Sequence, residues 1–79
     1  DGIAETLRAI VTTEISFVVK EVDSKTTKVS MRSKTIDSAK ICEKFNGGGH
    51  TFAAGCTIKS NIKTATKKLL EEIRSEIKK

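Results

Sequence analysis

A chain of 79 residues has room for one small domain with a compact core. Hydrophobic residues at 37% and charged residues at 32% exclude a disordered tail, and no apolar run approaches the ~18 residues of a membrane span. The formal charge of +5, from 15 basic and 10 acidic residues, favours polyanionic partners, although a solvated lysine-rich surface explains charge alone equally well.

Ile3, Leu7, Ile10 and Val11 recur at helical spacing, which predicts a short amphipathic helix over residues 3–11. Ile15, Phe17, Val18, Val19 and Val22 form a β-branched and aromatic run that reads as a strand. Asp23-Ser24-Lys25-Thr26-Thr27 is a hairpin turn leading into a second strand at 27–33. There Val29 and Met31 share one face, while Lys28, Ser30 and Arg32 share the other. Asp37 reads as the N-cap of a helix over 38–45, with Ile36 and Ile41 placed for a hydrophobic staple. Asn46-Gly47 supplies a left-handed stop. Beyond it, 51–54 fits one helical turn and 55–58 a short strand. Ser60 or Asn61 caps a final helix with a stripe of Ile62, Ala65, Leu69, Ile73 and Ile77, joined by Leu70. Its opposite face, including Lys67, Lys68, Glu71 and Glu72, reads as solvated charge. The expected fold is a small single α/β domain with a mixed sheet packed by helices, in the order helix-strand-strand-helix-strand-helix.

Cys42 and Cys56 form no CxxC pair, so the expectation is two reduced, buried thiols in a cytoplasmic protein, with one disulfide as the alternative. Met31 is the only methionine and the chain opens Asp1-Gly2, which predicts a processed chain or an excised domain.

The chemistry concentrates in Asn46-Gly47-Gly48-Gly49-His50-Thr51-Phe52-Ala53-Ala54-Gly55. Consecutive glycines are entropically costly and mark special dihedrals or close approach of another group. Their N–H groups can converge on an anion, and a helical turn starting near His50 would add further unpaired N–H groups. His50, the only histidine, can donate to a phosphate oxygen, and protonation would add charge. A flexible loop beside an incidental histidine fits the local chemistry equally well. A zinc site on His50 and Cys56 lacks the three or four protein ligands such a site takes. No serine lies at recognisable motif spacing from a histidine base.

GGGH followed by AAG resembles the signature of the DHH-associated domain, the C-terminal domain of DHH-family phosphoesterases. Val29-Ser30-Met31-Arg32-Ser33 is similar to that family's V-S-x-R-S strand, and the likeness spans residues 3–77. It is strongest toward the bacterial oligoribonuclease (nanoRNase) and 3′-phosphoadenosine 5′-phosphate phosphatase branch. The resemblance implies that this domain grips phosphate and nucleotide. A separate N-terminal DHH domain of the same chain would hold two manganese ions through its Asp-His-His motif. It carries over Arg32 as a phosphate or nucleic-acid ligand, Gly48, Gly49 and His50 as the phosphate-binding loop, and Ser30 as a neighbour on the Arg32 face; Gly47 is a further candidate beside that loop. The chain has no Asp-His-His motif, so residues 1–79 are expected to be a substrate-binding domain for short RNA, without catalysis or a metal of its own. The rival expectation is a pure nucleic-acid-binding module, like the related C-terminal domain of alanyl-tRNA synthetases.

Overall fold

The computed structural model describes residues 5–78. Its elements are β1 (Thr6–Thr12), β2 (Ile15–Asp23), β3 (Thr26–Ser33), α1 (Ser38–Glu43), β4 (Gly48–His50), β5 (Ala53–Ile58) and α2 (Ile62–Ile77). The strands form one sheet in the order β1-β2-β3-β5-β4. The small α/β domain stands, but every strand pairing is antiparallel, so the sheet is not mixed.

The first element also differs from expectation. Leu7, Ile10 and Val11 fit a helical stripe, yet Leu7, Ala9 and Val11 equally fit a period of two. Ile10, Val11, Thr12 and Thr13 are β-branched, and pairing with β2 from Thr6–Lys20 to Ile10–Ser16 decides for a strand. Ile3, which began the expected helix, lies outside the described residues.

Alternation along β2 and β3 buries Ile15, Phe17, Val19, Thr27, Val29 and Met31 on one face, with Cys56 and Ile58 of β5. Ile41 and Cys42 of α1 and Ala65, Leu69 and Ile73 of α2 complete this core, so both helices cover the same side of the sheet. Fully burying each of the larger aliphatic side chains contributes about 1.5–3 kcal/mol before entropy is subtracted. Thr27, the buried hydroxyl of β3, donates to the Ser60 carbonyl at 2.9 Å and so enters the core satisfied. The stripe of α2 is as expected at its centre, while Ile77 is exposed. On its polar face Lys68 reaches Ser60 Oγ at 3.1 Å.

Both caps form. Asp37 accepts from the Lys40 N–H at 3.0 Å, and Asn61, not Ser60, accepts from Thr64 N–H at 2.8 Å. Asn46 takes the left-handed stop at φ 62°, and Gly47 N–H donates to the Cys42 carbonyl at 2.9 Å. The expected helical turn over 51–54 is absent: Thr51 and Phe52 form the turn of the β4–β5 hairpin. Ala53 and Ala54 are claimed by pairing on both sides, with His50 and Gly49 of β4 and with Arg32 and Met31 of β3.

Candidate phosphate-binding site

Directly opposed residues in an antiparallel sheet point to the same face, so register alone shows what the uncovered side presents. One row runs Ile10–Ser16–Arg32–Ala53–His50. The next runs Arg8–Val18–Ser30–Gly55–Gly48, and a third Thr6–Lys20–Lys28, reaching Thr57 through β5. Arg8, Lys20, Lys28, Ser30, Arg32 and His50 are all exposed. No aspartate or glutamate occupies these rows, and among the described residues none of the four cations on them forms a salt bridge. The face is basic overall, with Glu21 beside Lys20 and Lys28 and Glu14 near Arg32 at its margins, and such a face attracts a polyanion.

The geometry centres on Arg32 and His50. They lie on opposite sides of β5, both opposed by Ala53. Two strand spacings put their Cα atoms about 10 Å apart, within reach of side chains converging on one phosphate. Between and beside them lie Ala53, Gly55 and Gly48, which leave the sheet surface low enough for close approach of a ligand. A depression of about 540 Å³, lined in part by Ile10, Ser16, Arg32 and Ser33, adjoins the Arg32 end. Phe52, 51% exposed at the hairpin turn, adds an aromatic side chain two residues from His50.

Of the candidate residues, Ser30, Arg32, Gly48 and His50 therefore share the open face. Gly47 and Gly49 do not, and packing explains both. A Cβ on Gly47 would sit 2.3 Å from the Gly55 carbonyl oxygen and 2.4 Å from Cys56 Cβ. Gly49 has φ +144°, and a Cβ there would meet Ala54 Cα at 2.7 Å. A Cβ on Gly48 would have nothing within 4 Å, so protein packing places no demand for glycine there. The glycine run is consequently a strand rather than a loop cradling an anion. Its Gly47 amide is already spent on Cys42, and no helical turn follows to lend further N–H groups.

Two hydrogen bonds hold the His50 hairpin to α1: Gly47 N–H to Cys42 O at 2.9 Å and Ser38 N–H to Thr51 O at 2.7 Å. Ser33 N–H donates to the Phe52 carbonyl at 3.0 Å, joining the hairpin turn to the end of the Arg32 strand.

The family profile of the DHHA1 domain matches residues 1–79, the whole chain. The chain belongs to the DHHA1 domain family. DHHA1 domains occur together with an N-terminal DHH domain in the same chain and are associated with DHH-family phosphoesterases.

The side chains of this DHHA1 domain do not fit the dimetal centre implied for a DHH phosphoesterase. Among the described residues no three His, Cys, Asp or Glu side chains gather at one point. The zinc alternative fails on geometry as well, because His50 is exposed on the open face while Cys56 is buried on the helix face. Both cysteines are free, buried and hydrogen-bonded to each other. That bond first, and burial second, push the Cys56 thiol far up from its ordinary range. They are core groups. Among the described residues no helix is long and apolar enough to cross a membrane.

Sequence reading missed Arg8, Lys20 and Phe52 as site neighbours. The signal for the two cations was alternation, but only the pairing of β1 with β2 and of β2 with β3 puts Lys20 beside Lys28 and Arg8 in the Ser30 row, across Val18.

Proposed function

We propose that this DHHA1 domain grips the phosphate and nucleotide of a short RNA for a manganese-dependent DHH-family phosphoesterase, with 3′-phosphoadenosine 5′-phosphate as a second substrate. The supporting observation is the single cross-sheet row that carries Arg32 and His50 on a bed of Ala53 and glycine. Arg32 offers a planar fork for bidentate contact with phosphate oxygens. His50 donates an N–H to the same group from the far side of β5. Ser30 supplies a hydroxyl on the adjoining row, and Gly48 lets the ligand approach the backbone. Arg8, Lys20 and Lys28 raise the local concentration of a polyanion and orient it along β3. The metal ions, which activate water and neutralise phosphate charge when bound, belong to the DHH domain in this reading. Residues 1–79 position the substrate and carry out no bond cleavage.

NMR titration of the 79-residue chain with a 5′-phosphorylated dinucleotide tests this directly. Shifts should concentrate at Gly47–Thr51 and Arg32. Shifts confined to the Lys67–Lys68 face of α2 would overturn the assignment. The same basic face, three rows deep, favours a second reading as a tRNA-binding module resembling the C-terminal domain of alanyl-tRNA synthetases. An upstream Asp-His-His motif in the parent chain decides for the phosphoesterase, and an upstream synthetase or editing domain decides for tRNA.

A further inference from the structure

We propose that two copies of this chain pair through the outer edge of β1, antiparallel about a twofold axis at Ala9. The result is one continuous sheet of ten strands, five from each copy. This inference is independent of what the open face binds.

Among the described residues β1 is the outermost strand, seven residues long, and its sequence Thr-Leu-Arg-Ala-Ile-Val-Thr has one charge and no proline. Sheet edges usually carry lysine, proline or a covering element to prevent pairing. Here the register irregularity falls between Ile10 and Thr12, leaving Thr6 to Ile10 regular.

The hydrogen-bonding phase of the strand matches the proposed axis. Glu21 N–H donates to the Glu5 carbonyl at 2.8 Å, which makes the opposed Glu5–Glu21 pair a hydrogen-bonded one. Alternation then directs the backbone groups of Leu7 and Ala9 toward β2, and those of Thr6, Arg8 and Ile10 outward. An axis at Ala9 uses those outward groups. Arg8 and Ile10 of opposite copies exchange hydrogen bonds, and the two Ala9 residues form the close pair at about 4.5 Å, where a small side chain fits.

Alternative axes are worse. Centring on Arg8 sets two guanidinium groups directly opposite each other, which destabilises a pair. Centring on Ile10 strands Thr6 and Leu7 beyond the overlap. About Ala9 the oppositions of the regular stretch are compatible, Ala9 with Ala9 and Arg8 with Ile10, and Leu7 meets Val11 at the irregularity. Pairing in this register also covers apolar surface. Leu7 is 45% and Ile10 82% exposed in the single chain. Leu7 and Ile62 line a cleft of about 410 Å³ beside β1, on the helix side, where Val11 of the second copy would lie.

Because opposed residues share a face, the helices of both copies lie on one side and the two basic faces join on the other. An Arg8 from each copy flanks the axis. Sedimentation equilibrium of the 79-residue chain should show a concentration-dependent dimer. Ile10→Lys places a cation opposite Arg8 twice over and should weaken the dimer by roughly tenfold or more. Arg8→Glu combined with Ile10→Lys should restore it. Ala9→Cys should cross-link the dimer under mild oxidation, since the opposed Cα atoms would be within disulfide range. Val22→Cys should not. A chain that stays monomeric at high micromolar concentration, or an Ile10→Lys dimer as tight as the parent, overturns the proposal.

Discussion

Arg32 and His50 are separated by a single strand, and one residue of that strand, Ala53, opposes both. The relationship gives each side chain a distinct test. His50→Gln should weaken binding of a 5′-phosphorylated dinucleotide by roughly tenfold, as expected for loss of a hydrogen bond to a charged group. The melting temperature should stay within a few degrees, because His50 is exposed. Arg32→Ala should cost about 1.5–3 kcal/mol of binding, also without a large change in stability. Calorimetric titration and thermal melts check both; an early melt with normal binding would make either residue structural.

The three glycines of the run should separate by function. Gly47→Ala forces a side chain into backbone and Cys56, and Gly49→Ala strains a positive φ, so each should destabilise by about 1–3 kcal/mol or more. Gly48→Ala meets open space and should leave the melting temperature nearly unchanged while impairing phosphate binding. A Gly48→Ala chain with unimpaired binding would remove Gly48 from the site.

Salt should report the wider basic face. Lys20→Gln and Lys28→Gln together should flatten the dependence of oligonucleotide affinity on salt concentration, since fewer counterions are released. Arg32→Ala should lower affinity at every salt concentration. Identical slopes for the parent and the double variant would show that the ligand does not extend to that row.

Asp23 lends the β2–β3 turn a small acid-sensitive contribution. The Lys25 N–H donates to its carboxylate at 2.8 Å and, with the Thr26 side chain, holds its pKa below the ordinary aspartate value. A lowered folded pKa means stability that is present above the unfolded value and lost as pH falls through the folded one. The Asp23 carboxyl should therefore titrate below a free aspartate by NMR, and Asp23→Asn should remove this part of the acid dependence.

The thiols should be inert. With Cys56 pushed up and both sulfurs in the core, a thiol-specific disulfide reagent at neutral pH should modify the folded chain slowly and both cysteines rapidly in denaturant. Prompt reaction of the folded chain would show that the core opens easily.

Much of this architecture is legible in the residues. Asp37 and Asn61 announce their helices, Asn46 its left-handed stop, and the alternation of Val29 and Met31 against Lys28, Ser30 and Arg32 correctly divides β3 between core and open face. What is illegible has a physical cause. Leu7, Ile10 and Val11 satisfy two periodicities at once, and pairing with β2, a tertiary fact, selects between them. Glycines carry no side-chain pattern, so nothing local distinguishes β4 from a loop. The row of Arg32 and His50 depends on the register of β3, β5 and β4, which no local pattern specifies. The motif residues could be named in advance; their division into Arg32 and His50 on the open face and a packing pair of glycines, Gly47 and Gly49, could not.

Under the proposed function, the two hydrogen bonds joining the β4 hairpin to α1 tie phosphate affinity to the core. Arg32 rides on a central strand, whereas His50 sits on an edge hairpin fastened to a helix of only six residues. That helix is seated by Ile41 and Cys42, both almost wholly buried. A shift in how they lodge should change the span between Arg32 and His50, the two sides of the proposed grip. The aperture is thus adjustable from the opposite side of the sheet, by changes that touch no ligand.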